Sequence, residues 1–181
     1  FFHDRQIREI QSERRELERE FYLRALYKTA SMRLIQYEVS NFAKADFQSR
    51  SNLKVWDGQP YLGLGCGAHS FDGVNRWGNV RSMRKYMESV GREEPPRDFM
   101  ETPTRLQQAS ERLMLSLRRP EGLNILSWQE EFQIGLSLEQ KNQMEKLKDQ
   151  DLVSWESPIL KLTTEGMLLA DAITAELMPE T

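Results

Sequence analysis

The residues whose types and spacing are best suited to chemistry lie between Asn41 and Ser70. In Tyr61-Leu62-Gly63-Leu64-Gly65-Cys66-Gly67-Ala68-His69-Ser70, three glycines fall at alternate positions and a histidine follows them. If this stretch is a strand, Gly63, Gly65 and Gly67 share one face and bare their backbone there, so something must approach closely. Two occupants stay open: a neighbouring helix or strand packed on the glycines, or a bound cofactor. The spacing G-x-G-x-G is not the dinucleotide fingerprint, and no helix-forming run follows at once. His69 closes the candidate strand. A lone histidine is often structural, but at the end of a barrel strand an imidazole reaches the mouth where sites are built. Cys66 has no His-Asn or His-Asp set to make it a nucleophile and reads as a small buried apolar residue. Asn41, Arg50 and Asn52 form a polar loop cluster whose plainer account is turn chemistry.

Bulk properties narrow the choice further. One cysteine forms no internal disulfide, and with only His3 and His69 there is no usual four-ligand zinc set, so metal chemistry needs ligands from outside this chain. The net charge of -3 gives no basic footprint for nucleic acid or an anionic membrane. No run of eighteen apolar residues and no apolar signal core at Phe1-Phe2-His3-Asp4 is present, so no membrane span is expected and a cytoplasmic location fits best. With 39% hydrophobic and 29% charged residues, the 181-residue chain is expected to fold as a soluble protein.

The positioning elements are expected to be mixed, in the α+β class. Asp4 to Ala30 carries Ile7, Ile10, Leu17, Phe21 and Ala25 as a thin helical stripe among Arg and Glu. Such a helix needs a partner, and opening a domain with it suggests a chain that begins earlier. Leu34 to Val39 and Tyr61 to Ser70 are strand candidates, with an irregular segment from Asn41 to Gly58 between them that holds Arg50, Asn52 and Trp56. Phe71 to Val80 is a loop or further short strand, and Ser82 to Val90 a helix with Met83, Tyr86, Met87 and Val90 on one face. Arg92 to Pro103, with three prolines among charges, reads as a linker. Thr102 is expected to cap a helix with Pro103 at its first position, and Ser127/Glu130 and Ser137/Gln140 match the capping box. A ribbon from Leu152 to Leu162 and a last helix capped by Thr163 or Thr164 complete a winged-helix-like module.

Four stretches in order carry a resemblance. Tyr37-Glu38-Val39-Ser40-Asn41-Phe42-Ala43, Ser49-Arg50-Ser51-Asn52-Leu53-Lys54-Val55-Trp56, Tyr61 to Ser70, and Trp77-Gly78-Asn79-Val80 are similar to successive motifs of the radical-SAM HemN/HemW family, the oxygen-independent coproporphyrinogen III oxidase-like proteins. The resemblance covers nearly the whole chain. It implies that residues 1–91 are the C-terminal part of a radical-SAM partial (β/α) barrel, 92–103 a linker and 104–181 a winged-helix-like domain. It also implies S-adenosylmethionine and a [4Fe-4S] cluster in the full-length protein, the cluster being held by a three-cysteine loop in a missing N-terminal barrel segment. Without that loop this chain alone should be inactive.

Within the family, His69 is similar to the HemW-type haem-chaperone branch, since the oxidase branch carries there an apolar residue that helps hold a second S-adenosylmethionine. The resemblance therefore implies a chaperone that binds haem or porphyrin and passes it to haem-acceptor proteins. Gly65, Gly67 and His69 would form the wall of the S-adenosylmethionine or haem pocket, with His69 a candidate haem ligand. Arg50, Asn52 and Trp56 would be haem contacts, Arg50 pairing with a propionate. Two positions depart from the pattern: Ser51 stands where the chaperone branch usually has a histidine, and a hydroxyl is a poor ligand for haem iron; Cys66 replaces a common proline. The alternatives are a porphyrinogen-decarboxylating oxidase, which His69 speaks against, and a winged-helix DNA-binding module. The latter's reading helix sets Lys141, Lys146 and Lys148 against Glu139, Glu145 and Asp149. That sum of zero leaves no positive surplus for phosphates, so no DNA partner is expected.

Overall fold

The computed structural model describes residues 2–179, with side chains from residue 14 onward. Helix α1 (Phe2–Ser31) is a single long rod, and the Glu20–Arg24 pair expected along it is formed. Its contact face is not the expected stripe. Leu17 and Phe21 are exposed, while Tyr22 packs toward the core and bonds the Gln36 carboxamide through its hydroxyl. Ile7 and Ile10, the first members of the stripe, lie outside the described side chains.

Strands β1 (Ile35–Glu38) and β2 (Asn41–Ala43) form an antiparallel hairpin. The Glu38 carboxylate, buried under the turn, accepts from the Ser40 N–H at 3.0 Å. The expectation of an irregular segment from Asn41 to Gly58 is corrected twice, first by β2 and then by helix α2 (Arg50–Trp56). Ser49 starts α2 by accepting the Asn52 N–H on its hydroxyl, the ordinary N-cap interaction.

A three-stranded antiparallel sheet follows, built from β3 (His69–Phe71), β4 (Arg76–Asn79) and β5 (Arg97–Glu101) in that order, with α3 (Met83–Gly91) capped by Ser82 in the connection. The linker expected over 92–103 is thus partly strand: residues 97–101 pair with β4. Its prolines misled because Pro95 and Pro96 precede the strand and Pro103 follows it, leaving the paired N–H groups intact.

From Thr104 on the elements are α4 (Arg105–Leu117), β6 (Leu123–Asn124), α5 (Ile125–Phe132), α6 (Leu138–Asp149), β7 (Val153–Glu156), β8 (Ile159–Leu162), α7 (Thr164–Leu168) and α8 (Ala170–Leu177). The sheet order is β6-β8-β7. Ser137 and Gln140 make the expected capping box, and Thr163 caps α7. Two expected caps are displaced. Thr104, not Thr102, caps α4 in a capping box with Gln107, and Asn124, not Ser127, caps α5, taking the Ser127 N–H on its side chain.

The hydrophobic core belongs to this last part. Ala109, Leu113 and Leu117 of α4 close over Trp128, Met144, Leu147, Leu160 and Ile173. The Trp128 indole N–H, which burial would otherwise orphan, donates to the Ala109 carbonyl at 2.9 Å. Among the described residues earlier in the chain, the buried side chains are Glu38, Ala43, Ser70, Asn79 and Pro103, so polar contacts contribute as much as apolar packing to the region that holds the candidate site.

Candidate functional site

The glycine segment is not a strand. Tyr61 bridges Phe71 through two backbone hydrogen bonds, and between them residues 62–68 loop out and return. His69 therefore opens β3 instead of closing a longer strand. The three glycines do not share a face, because Gly65 and Gly67 adopt φ of +102° and +69°, a region costly for residues with a Cβ. At Gly63 the demand is steric: a Cβ would collide with the His69 carbonyl oxygen.

Three side chains hold this loop. Ser70, fully buried, accepts the Gly63 N–H at 2.9 Å. The Tyr86 hydroxyl on α3 accepts the Gly65 N–H at 3.2 Å. Asn79 on β4 donates its amide to the Gly65 carbonyl at 2.9 Å and, more weakly, to that of Gly63 at 3.4 Å. The Gly67 N–H goes to the Val80 carbonyl. The N–H groups of all three glycines are thus used internally and are not free to bind a ligand. Leu62 and Leu64 are 71% and 82% exposed, and His69 is exposed beside them along the chain.

His69 pairs with Gly78 across β3–β4, and its ring meets that of Phe99 on β5 edge-on at 5.5 Å. Among the described residues its imidazole makes no hydrogen bond or ion pair. Cys66 is half-buried and free. Arg50, Asn52 and Trp56 ride on α2, Arg50 exposed and the other two half-buried. No hydrogen bond, ion pair or ring contact joins them to His69 among the described residues. The C-terminal end of α2 is anchored instead to α4: Arg112 donates to the Asp57 carbonyl at 2.7 Å, and Arg119 pairs with the Asp57 carboxylate.

Sequence reasoning singled out neither Phe99 nor the holding role of Ser70, Asn79 and Tyr86. Asn79 sat in a recognised motif; Phe99 sat in the supposed linker, and its signal was its register opposite a strand glycine. The resolved electrostatic shifts fall on residues other than the candidate site residues. The N–H groups of Asn75 and Val74 hold the Asp72 carboxyl, in the β3–β4 turn, below its ordinary range. Arg19 does the same to Glu165 across the α1–α7 contact. Among the described residues no three His, Cys, Asp or Glu side chains converge as a metal site. With one thiol, this chain does not fit a [4Fe-4S] cluster, which takes Cys thiolates.

In architecture the chain matches one solved structure well: the radical-SAM coproporphyrinogen III oxidase HemN from Escherichia coli, with a TM-score of 0.69 over 86% of this chain and 39% of that one, at 15% identity. The chain thus has the fold of the matched part of that structure. Sequence relatives are the heme chaperone HemW of Bacillus subtilis, 30% identical over 91% of this chain and 44% of its own length, and that of Mycobacterium tuberculosis, 31% identical over 78% and 34%. The mitochondrial radical S-adenosyl methionine domain-containing protein 1 of Danio rerio is 30% identical over 86% and 38%. No family model matches the chain. The chain belongs to the radical-SAM HemN/HemW family, on its HemW-type side. It spans less than half the length of these relatives. No described helix is long and apolar enough to cross a membrane.

Proposed function

We propose that the protein to which this chain contributes is a HemW-type chaperone, which binds haem and transfers it to acceptor proteins in the cytoplasm. The observation that carries this is the exposed His69 imidazole, which makes no hydrogen bond among the described residues, set against Phe99 and following the exposed Leu62 and Leu64 in the chain. Histidine is a common haem ligand, and an exposed imidazole with no internal partner among the described residues is free to bind iron. In this reading His69 is the ligand, the Gly65–Gly67 loop is the wall behind it, and Arg50, Asn52 and Trp56 on α2 contact the porphyrin, Arg50 through a propionate. S-adenosylmethionine and a [4Fe-4S] cluster belong to the full-length protein, with cluster ligands supplied by polypeptide other than this chain.

The exposed apolar residues of the first hundred positions, among them Leu17, Phe21, Met83 and Met87, support packing by a preceding barrel segment. The order helix, strand, two helices, two strands from α4 to β8 supports a winged-helix-like domain over 104–181, joined to the barrel portion of 1–91 through residues 92–103. Hemin titration of the protein and of His69→Ala, followed at the Soret band, tests the proposal. A weaker, spectrally altered complex in the variant is expected; superimposable titrations would remove His69 from the site.

A further inference from the structure

The register of β3, β4 and β5 sets His69, Gly78 and Phe99 in one cross-strand row, His69 paired with Gly78 and Gly78 with Phe99. In an ordinary sheet the outer members of such a row stand about 9–10 Å apart, with the middle side chain between them. Gly78 has none. A Cβ there would lie 2.5 Å from Cε1 of Phe99 and 3.2 Å from Cδ1 and Cζ, so the Phe99 ring occupies the space above the glycine. It reaches the imidazole at 5.5 Å with the planes 61° apart, the favourable edge-to-face arrangement. The His69 main chain is fixed separately, by its pairing to Gly78 and by Gly63 pressed against its carbonyl. With no polar partner among the described residues to choose its rotamer, packing must choose it, and Phe99 is the aromatic ring in contact.

We propose that Phe99, laid across Gly78, is the positioning residue of His69, holding its imidazole in one rotamer so that it meets a planar iron-bearing ligand already oriented. The proposal deepens the haem reading and rests on it for the ligand, while the positioning itself can be measured without one.

Ligand-free protein is examined by carbon–proton NMR of the imidazole, its signals assigned by their loss in His69→Ala. Phe99→Leu keeps apolar bulk, Gly78→Ala evicts the ring and Phe99→Tyr keeps it. The first two should shift the His69 signals toward those of free histidine as the ring current is lost, and the third should leave them in place. Hemin affinity should fall about three- to tenfold in Phe99→Leu and Gly78→Ala, the ordinary worth of an aromatic pair, and recover in Phe99→Tyr. Phe99 is 40% exposed on an edge strand outside the core, so these variants should fold. Unmoved His69 signals in Phe99→Leu overturn the proposal. So does an unchanged hemin affinity in Phe99→Leu where His69→Ala weakens binding. If His69→Ala itself leaves hemin binding intact, the haem reading fails instead, and the NMR shifts alone decide whether Phe99 holds the ring.

Discussion

Replacing Asn79 by alanine should loosen the glycine loop without unfolding the protein. Asn79 is 9% exposed and supplies one good hydrogen bond, to the Gly65 carbonyl at 2.9 Å; its 3.4 Å contact with Gly63 is too long to add much. Leaving a buried carbonyl without a donor costs about 1–3 kcal/mol. Gly65 is only half-buried and its carbonyl keeps a long 3.4 Å bond from the Ala68 N–H, so part of this is recovered, and the expected cost is about 1–2 kcal/mol, or roughly 5- to 30-fold in the local opening equilibrium. None of it should reach the core, whose buried cluster lies between Ala109 and Leu177. Amide hydrogen exchange should therefore quicken by that factor at Gly63, Gly65 and Gly67 while the thermal midpoint stays put. Tyr86→Phe is the control: it removes the acceptor of the Gly65 N–H alone, so only that amide should quicken. Equal protection in wild type and Asn79→Ala, or a uniform loss of protection across the core, would refute the reasoning.

Gly166→Ala should destabilise the C-terminal part by about 1–3 kcal/mol in urea unfolding, because the added Cβ collides with the Leu152 carbonyl, which the Thr163 N–H already holds in place. Ser137→Ala should cost about 1 kcal/mol by the same measurement, since the Gln140 N–H loses its hydroxyl acceptor while the Gln140 side chain still takes the backbone N–H of position 137. The Arg19–Glu165 clasp should fade with acid. Its carboxyl is held below the ordinary glutamate range, so the stabilisation is present above about pH 4.3 and is lost as pH falls through the lowered folded value. The stability difference between wild type and Arg19→Gln, followed by urea unfolding from pH 7 to 3, should close on acidification.

How much of this was legible depended on whether the signal was local. The Ser137/Gln140 box, the cap at Thr163 and the ribbon from Leu152 to Leu162 are written within a few residues each, and all are found. Helices α1 and α3 showed in periodicity, although the contact face of α1 did not, because Tyr22 is chosen by a partner fourteen residues away. The glycine segment failed for a specific reason. Alternation implies strand geometry, but two of the three glycines serve positive φ and the third a close backbone approach. Strand β5 was masked by flanking prolines, and with it Phe99. The motif order pointed to the family, yet the placement of Arg50, Asn52 and Trp56 on a helix depended on Ser49 acting as a cap, which nothing in Ser49-Arg50-Ser51-Asn52 distinguishes from a turn.

Stability and candidate site are carried by different parts of the chain, and α4 is what relates them. One face of α4 supplies Ala109, Leu113 and Leu117 to the core. The opposite side offers Glu111 to Arg76 on β4, and Arg112, with Arg119 just beyond the helix, to Asp57 at the end of α2. Arg76 also pairs with Glu101 on β5, so the sheet bearing His69 and the helix bearing Trp56 are referred to the same rigid element. These pairs are partly exposed and individually worth little to stability. Their consequence is geometric: the core fixes α4, and α4 fixes where the histidine strand and α2 stand relative to each other. A binding surface whose parts share no direct contact can keep a constant shape in this way, provided the helix between them does not move.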